Sequence, residues 1–383
     1  IAVHSGLIAN AVYFLGRGAD AAGDDWNGVK LALVGYDRSK AMLNLLLDKG
    51  ADPESTAPNG ITLLHMGIEK KDAETVKLLV QKGVNINKQY RNGSYPLLHA
   101  IYKGNAAVIQ FLIQSGADTN VKDSSGVTPL VAAVESKDLK TAEFLVKGGA
   151  DVNAVNNKGK ALILVSYETN RIDVFNLLIS GGAKANSLFD GNTLLHMAAS
   201  ANRISFITSL IKGGADLNAR NSDNKTAVML ASEKGYGNSV RTLAAGGADL
   251  SLKDSAGESA LYKAVRIGGD GGYNAAEALI KGGAQVNDAS SEGVPVLHEA
   301  VTGAKFQFVS LLLKNGADPN VLNKKNESAI LILSRTTAAV KNEQYKLNQA
   351  AKAITELISK SSITYSTAPA ALSPYHSPNL AVA

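Results

Sequence analysis

A histidine that returns in the same phrase is the first feature of this sequence that suggests chemistry. His65 stands in NGITLLHMGI, His196 in DGNTLLHMAA and His298 in EGVPVLHEA, each five residues after a glycine. Imidazole is a common general base and metal ligand, so a histidine used three times could mark a catalytic or metal-binding residue. The alternative is a structural part that every copy of a repeating unit needs.

Recurring glycines favour the structural alternative. Gly-Ala-Asp or a close variant returns at steps of 32, 33 or, once, 36 residues, and its glycines are Gly18, Gly50, Gly83, Gly116, Gly149, Gly182, Gly214, Gly247, Gly283 and Gly316. A second glycine precedes most units, with Asn224 and Asn326 as substitutes. Self-similarity with a period of about 33 residues predicts an array of repeats.

The position of each histidine within the 33-residue period indicates whether the histidines can act together in catalysis. His65, His196 and His298 share one phase, so they belong to separate units and are not expected to converge on one substrate or metal ion. We expect these three histidines to be structural, with no catalytic residue, no metal site and no cofactor. His99 is out of phase by one and is a candidate to face a ligand.

The pattern resembles the ankyrin repeat. The clearest units run from Ser125 to Asn153 (SGVTPLVAAVESKDLKTAEFLVKGGADVN), from 190 to 218 and from 292 to 320, and we count about eleven units, the first one truncated. The resemblance implies an all-α repeat solenoid, in which helix–turn–helix units joined by β-turn fingers stack into a curved array with a helical C-terminal cap. It also implies that the recurring histidine ties the start of its helix to neighbouring backbone.

The residues of one unit support the same fold without the family. Thr128 and Pro129 suit the start of a helix, because threonine caps a helix and proline is tolerated in its first turn. In the second helix Ala142, Leu145 and Val146 share one stripe, and a glycine pair follows it. Neither short helix buries its stripe alone, so we expect neighbouring units to stack.

The domain organisation follows from where the period fails. We predict a repeat array over residues 1–324, a divergent capping repeat over 325–360 and an extended Pro/Ser-rich tail over 361–383, anchored by Tyr365 and Tyr375. The glycine-rich stretch from Gly268 to Tyr273 resembles a phosphate loop but lacks the Gly-Lys-Ser/Thr that would follow it. We interpret it as a three-residue insertion that lengthens the loop between two helices.

Composition narrows the classes of partner. The 39 basic and 34 acidic residues give a net charge of +5, concentrated between Lys324 and Lys360, without the continuous basic stripe of a nucleic-acid binder. Apolar stretches of about five residues are too short to span a membrane. The chain has no cysteine and opens on Ile1. We expect a soluble bacterial protein whose true start is missing, located in the cytoplasm or, after N-terminal processing, in the periplasm or outside the cell.

Resemblance to ankyrin repeats implies a protein partner in the concave groove, contacted by the fingers and the exposed ends of the first helices. The positions that fall there by phase are Tyr90, Arg91, Tyr95, His99, Tyr102, Lys103, Glu135, Tyr167, Glu168, Phe189, Arg220 and Arg266. Tyrosine and arginine are enriched at binding hot spots. For Tyr95 and Phe189, packing between adjacent fingers is an equal alternative.

Three possibilities for the function remain open. The first is a non-enzymatic protein-interaction module, acting as an adaptor, an effector or an inhibitor such as an immunity protein. The second is a targeting or scaffold arm of a larger protein whose catalytic domain precedes residue 1. The third is a structural role, in which arrays stack end to end or pair as dimers; the apolar first unit, residues 1–20, would permit this, although a homo-oligomer is not otherwise indicated.

Overall fold

A computed structural model describes residues 1–25, 30–57, 59–91, 93–339, 352–353 and 355–360. The chain divides into two compact units, Ile1–Ala183 and Lys184–Ala383. The described helices of the first unit are α1 (Ile8–Gly16), α2 (Leu31–Arg38), α3 (Lys40–Asp48), α4 (Leu63–Glu69), α5 (Ala73–Gln81), α6 (Pro96–Lys103), α7 (Ala106–Gln114), α8 (Pro129–Glu135), α9 (Leu139–Lys147), α10 (Leu162–Glu168) and α11 (Ile172–Ser180).

The second unit begins with a short hairpin and continues as helices. Its described elements are β1 (Leu188–Phe189), β2 (Asn192–Thr193), α12 (Leu194–Ser200), α13 (Ile204–Lys212), α14 (Ala227–Glu233), α15 (Gly237–Ala245), α16 (Ala260–Ile267), α17 (Gly269–Lys281), α18 (Val296–Thr302), α19 (Phe306–Lys314) and α20 (Ala329–Ala339). Both units are built of antiparallel helix pairs that follow one another along the chain, as the all-α repeat prediction requires.

The pair α8 and α9 shows why these residues form these helices. Thr128 caps α8, since its hydroxyl accepts a hydrogen bond from the Val131 amide at 3.3 Å, and Asp138 caps α9 by accepting from the Thr141 amide at 3.0 Å. Ala142 and Leu145 of the stripe predicted for the second helix are fully buried, and Val146 is half-buried. The cores of the repeats therefore lie between successive helix pairs.

Each helix pair ends in a turn that needs a left-handed residue. All ten glycines of the Gly-Ala-Asp turns have positive φ, between 74° and 97°. Asn224 and Asn326, which replace glycine in the second series, both have a φ of 60°, a conformation that asparagine tolerates better than most residues. The glycines thus recur in the sequence because the same left-handed backbone conformation recurs in each repeat.

Asparagine side chains join one turn to the next. In each pair an asparagine carboxamide oxygen accepts a hydrogen bond from the backbone amide of the aspartate in the following Gly-Ala-Asp turn, at 2.7–2.9 Å. The pairs are Asn87 with Asp118, Asn120 with Asp151, Asn186 with Asp216, Asn218 with Asp249, and Asn287 with Asp318. Neighbouring repeats are therefore held in register by polar contacts as well as by apolar packing.

The predicted fingers are narrow two-stranded turns. The strands β1 and β2 pair antiparallel with Leu188 opposite Thr193 and Phe189 opposite Asn192. Equivalent turns elsewhere close with a single bridge, as between Thr56 and Thr62.

The glycine-rich stretch from Gly268 to Tyr273 does not lengthen a loop, and the sequence-based interpretation was wrong. Gly268 is the N-cap of α17 and residues 269–273 are the start of this helix, which has 13 residues where the second helices of other pairs have nine. A Cβ on Gly272 would lie 2.5 Å from the carbonyl oxygen of Ala264, and one on Gly235 would lie 2.9 Å from the backbone of Gly271. Glycine is a poor helix former, but here close backbone packing outweighs that propensity.

The C-terminal part of the predicted capping repeat is described in pieces. The helix α20 is followed by residues 352–353 and 355–360, which are helical and bury Ala353 and Leu357. The domain boundaries remain predictions, and Tyr365, Tyr375 and the rest of the predicted tail lie outside the described residues. None of the helices in the described part is both long enough and apolar enough to cross a membrane.

The adjacent pair Leu78 and Leu79 of α5 allows a matched test of the stacking seam. Leu79 is fully buried and Leu78 is half-buried. We expect Leu79→Ala to lower the free energy of unfolding by about 2–5 kcal/mol, because it removes buried methyl groups and leaves a cavity. Leu78→Ala is the control and should cost clearly less. Urea unfolding followed by circular dichroism measures both, and equal losses would contradict the proposed seam.

A missing cap at α10 generates a second prediction. Ala161 occupies the N-cap position and offers no side-chain hydrogen bond, whereas Thr128 at the equivalent position of α8 does. Ala161→Thr should raise the free energy of unfolding by about 0.5–2 kcal/mol by satisfying one helical amide. Ala161→Val has nearly the same shape without the hydroxyl and serves as the control in the same denaturation measurement. A gain shared by both variants would rule out capping as its cause.

Candidate partner-binding surface and histidine cluster

Two of the in-phase histidines bind neighbouring backbone. Nδ1 of His196 lies 2.7 Å from the Thr193 hydroxyl, and its Nε2 lies 2.9 Å from the carbonyl oxygen of Lys225 in the next repeat. Nε2 of His298 lies 3.0 Å from the carbonyl oxygen of Glu327 in the same way. Both imidazoles are buried, so these contacts fix the start of a helix against the following finger.

His65 departs from this arrangement. Its Nδ1 is buried and has no hydrogen-bond partner among the described residues. Its ring stacks on Tyr90 with 4.4 Å between ring centroids and lies 4.3 Å from the ring of His99. The first in-phase histidine therefore packs against two aromatic rings of the next repeat, and its Nδ1 has no hydrogen bond to backbone among the described residues.

His65 and His99 form a polar cluster with Glu69 and Lys103. Nε2 of His99 lies 2.9 Å from one carboxylate oxygen of Glu69, and Nζ of Lys103 lies 2.5 Å from the other. Burial lowers the pKa of both histidines below 6.5, and the hydrogen bond from Lys103 lowers the pKa of Glu69. We name this set, His65, Glu69, His99 and Lys103, the histidine cluster.

Repeat phase alone does not reveal the histidine cluster. Equivalent positions lie one repeat apart, but His99 lies 34 residues after His65, which is one period plus one. Glu69 follows His65 by four residues and therefore lies on the same face of α4. The sequence feature that could have revealed the cluster is the combination of the out-of-phase His99 with Glu69, an acidic residue one helical turn after His65.

Tyr102 is the most exposed aromatic residue among the predicted contacts. Its side chain lies at the end of α6 and is 56% exposed, and its hydroxyl donates a hydrogen bond to the Asp123 carboxylate at 3.1 Å. Burial of the hydroxyl end and the neighbouring Asp123 charge raise the pKa of Tyr102 to about 12. The phenol therefore remains a neutral hydrogen-bond donor over the physiological pH range, while most of its ring faces solvent.

The other predicted contacts of the first unit fall into exposed and half-buried groups. Glu135 and Glu168 are exposed, and Glu168 accepts hydrogen bonds from Lys160 at 2.9 Å. Arg91 is exposed, and its aliphatic stem lies directly over Gly60 of the neighbouring finger. Tyr95, His99 and Lys103 are half-buried.

Tyr90 and Tyr167 are not on the accessible surface, and the prediction that they contact a partner does not agree with the structure. Tyr90 is 6% exposed and Tyr167 is 5% exposed. Tyr90 fills the space beside His65, and its burial raises the pKa of its phenol. Tyr167 belongs to the inward face of α10. A large side chain at a variable position packs inward where the neighbouring residue leaves room for its ring.

The candidates of the second unit are largely occupied by contacts within that unit. Phe189 is half-buried in β1. The guanidinium of Arg220 donates to the carbonyl oxygens of Asn224 and Lys253 at 2.8 Å each. Arg266 pairs with Glu258 and lies over the ring of Tyr262. Arg220 therefore joins two successive fingers and Arg266 joins helix α16 to its finger, although both arginines remain exposed.

A buried lysine next to Arg266 was not predicted. Lys263 is 5% exposed, and its amine lies 2.6 Å from Glu233, 2.6 Å from Asp254 and 3.5 Å from Glu258. Burial favours the neutral amine, but the hydrogen bonds to Asp254 and Glu233 outweigh it and raise the pKa of Lys263. Because the carboxylates come from the preceding repeat and from the finger, the ion pairs join two repeats rather than form an open site.

Comparison with known proteins bears on the fold just described. A family model described as "Ankyrin repeats (3 copies)" matches residues 31–123, 64–156, 162–254 and 245–323, which together make up well over half of the chain. The chain belongs to the ankyrin repeat family. Ankyrin repeats are generally protein–protein interaction modules, and this membership points to a non-catalytic role in binding.

Among solved structures, the chain is similar to the ankyrin repeat domain of Bcl-3, a unique member of the IkappaB protein family. The two are 26% identical, and the match covers 58% of this chain and 98% of that chain with a TM-score of 0.49.

The buried ankyrin histidines predict a pH dependence of stability. Burial lowers the pKa of His196 and His298 below the unfolded value near 6.5, so the folded protein binds fewer protons between the two values. Their contribution is therefore fully present above about pH 6.5 and is lost as the pH falls through the folded pKa. We expect the free energy of unfolding of the wild type to decrease from pH 7.5 to pH 5.5. In the double variant His196→Gln/His298→Gln, the same change in pH should lower it less.

Urea unfolding of both proteins at the two pH values measures this difference. The comparison is between slopes, because the glutamine variant is also expected to be less stable at pH 7.5. Identical pH slopes in the two proteins would show that these imidazoles do not titrate differently in the folded and unfolded states.

Proposed function

We propose that the chain binds a protein partner through the C-terminal ends of the first helices in its first unit. Four residues mark this surface: Glu69, Tyr102, Glu135 and Glu168, at successive steps of 33 residues, and we call them the 33-residue row. All four are exposed. Four successive repeats thus each present one exposed side chain to a partner from the same position in the repeat.

The observation that carries the proposal is the exposed ring of Tyr102 within an acidic row. Tyrosine supplies a large, rigid contact surface together with a hydrogen-bonding hydroxyl, and such residues often dominate binding energy. Its 56% exposure leaves most of the ring available, while the hydrogen bond to Asp123 limits the rotamers that binding would have to fix. The side chain is therefore oriented before a partner arrives.

The charges of the row indicate the chemistry of the partner. Glu69 and Glu168 have lysine partners within the chain, whereas Glu135 makes no ion pair among the described residues. A partner that brings an arginine or lysine to Glu135 and an apolar residue to Tyr102 would complement the row. Electrostatic complementarity of this kind mainly sets specificity and association rate.

Narrower assignments belong to the same proposal. Adaptor, effector and inhibitor are three uses of one binding surface, and the identity of the partner distinguishes them. Binding in a concave groove and a count of about eleven repeats are likewise inferences from the repeat sequence, and a bacterial source is an inference from the absence of cysteine. Tyr102, Glu135 and Glu168 are the predicted contacts that lie in the row, and Lys103 lies beside it, paired with Glu69.

A capture experiment with a matched control tests the proposal. The full chain is immobilised, proteins retained from the lysate of the source organism are identified by mass spectrometry, and the affinity of the purified partner is measured by calorimetry. We expect Tyr102→Ala/Glu135→Ala to weaken the complex at least tenfold, because truncating a central hot-spot residue costs about 2 kcal/mol or more.

The control is Lys140→Ala/Glu143→Ala, which changes two exposed residues of the second helix α9. It removes one charge of each sign away from the row and should leave the affinity unchanged. All variants must retain the melting temperature of the wild type. A partner that binds both double variants equally well, or that loses affinity only in the control, would place the interface elsewhere.

A further inference from the structure

We propose that His65, Glu69 and His99 bind a divalent transition-metal ion, with Zn²⁺ as the reference ion. One potential ligand atom from each residue lies within 4.8 Å of the other two. Donors bound tetrahedrally at about 2.1 Å from a zinc ion are separated by about 3.4 Å, so the cluster closes on an ion with side-chain movements on the order of 1 Å. Among the described residues, this is the group of three donors that meets such a spacing.

The types of donor determine which ions fit. Two imidazoles and one carboxylate match the ligands that Zn²⁺ uses in sites with an open fourth position, and imidazole also suits Ni²⁺, Cu²⁺ and Co²⁺. Ca²⁺ and Mg²⁺ prefer shells made entirely of oxygen, so the same set disfavours them. The expected ligand is therefore a borderline transition metal.

Two packed helices hold the donors in place. His65 and Glu69 are one turn apart on the same face of α4, and His99 projects from α6 in the next repeat. The His65 ring packs against the rings of both Tyr90 and His99, which limits its rotation. Preorganised donors lose little conformational freedom when they bind an ion, which favours affinity.

One buried donor atom of the cluster lacks a partner. Nδ1 of His65 makes no hydrogen bond within the described residues, whereas the equivalent atom of His196 lies 2.7 Å from the Thr193 hydroxyl. Nδ1 of His298 also has no hydrogen-bond partner, but within the described part of the chain it belongs to no such group of three donors, and Nε2 of that ring bonds to Glu327. His65 therefore belongs to a set of three donors because the out-of-phase His99 lies beside it.

Access to the site is open on the side of Glu69. The Glu69 side chain is 47% exposed, whereas that of His99 is 12% exposed. An ion would therefore enter along the carboxylate, and its fourth coordination position would face solvent. A water molecule or a donor from a partner can occupy that position, so the site does not depend on the 33-residue row binding a protein.

Lys103 competes with the ion. Its amine lies 2.5 Å from the Glu69 carboxylate and neutralises it without a metal, so metal binding has to displace this cation. Lys103→Met keeps most of the aliphatic stem and removes the charge. If the cluster binds metal, this substitution removes a competitor and should tighten binding, an effect that a purely structural role for the cluster does not predict.

Calorimetric titration of ZnCl₂ into the full chain tests the proposal, using protein that carries no affinity tag and has been freed of metal with a chelator. We expect one site per chain, affinity at least tenfold weaker in both His99→Gln and Glu69→Gln, and tighter binding in Lys103→Met. Circular dichroism and melting temperature confirm that each variant folds. His196→Gln, which changes a histidine outside the cluster, is the control and should bind as the wild type does.

A Co²⁺ titration gives a second readout, because tetrahedral cobalt with nitrogen ligands absorbs visible light strongly. The band should appear in the wild type and in His196→Gln and should be lost in His99→Gln. Absence of a wild-type site in the micromolar range overturns the proposal. So does a site whose affinity is the same in His99→Gln and Glu69→Gln as in the wild type.

Discussion

The stacking of helix pairs is the constraint on which the rest of this structure depends. Each pair from α2 and α3 to α18 and α19 has 16 or 17 helical residues, except α16 and α17 with 21. These are too few to surround the apolar stripes of the pair, so residues such as Leu79 and Leu145 become buried only when the next pair packs against them. Stability therefore comes from nearest-neighbour contacts rather than from one central core. Interactions that hold successive helix pairs at a fixed spacing therefore also keep these apolar residues buried.

Polar groups set that spacing. The asparagine-to-aspartate hydrogen bonds between successive turns recur at 2.7–2.9 Å, and the left-handed glycines let each turn reverse the chain in the same way. Two repeats depart from this regular arrangement. The repeat that contains α10 lacks a capping hydroxyl, and the repeat that contains α17 adds a helical turn that packs backbone against backbone.

Much of the fold could be predicted because it is local. The capping role of Thr128 and the left-handed backbone of Asn224 are properties of a few consecutive residues, and both agree with the structure. The helical form of residues 269–273 could not be predicted, since it depends on Gly235 from a different helix pair. Propensity indicates a loop there, and only the close approach of two backbones makes a helix.

The candidate site was predictable in position but less so in detail. Phase placed Tyr102, Glu135 and Glu168 on the surface, where the structure has them. Phase also placed Tyr90 and Tyr167 there, but the direction of a large ring depends on the space that its neighbours leave. The meeting of His65 with His99 follows from an offset of one residue between adjacent repeats, which a comparison of equivalent positions cannot show.

The ion pairs of Lys263 limit how far the repeats of this chain are interchangeable. Arrays of similar units can often gain, lose or exchange members, because each interface resembles the next. The repeat that carries Lys263 depends on Glu233 of the repeat before it, so moving it elsewhere would leave a buried cation short of one carboxylate. These two repeats are therefore expected to be inherited, deleted or transplanted together.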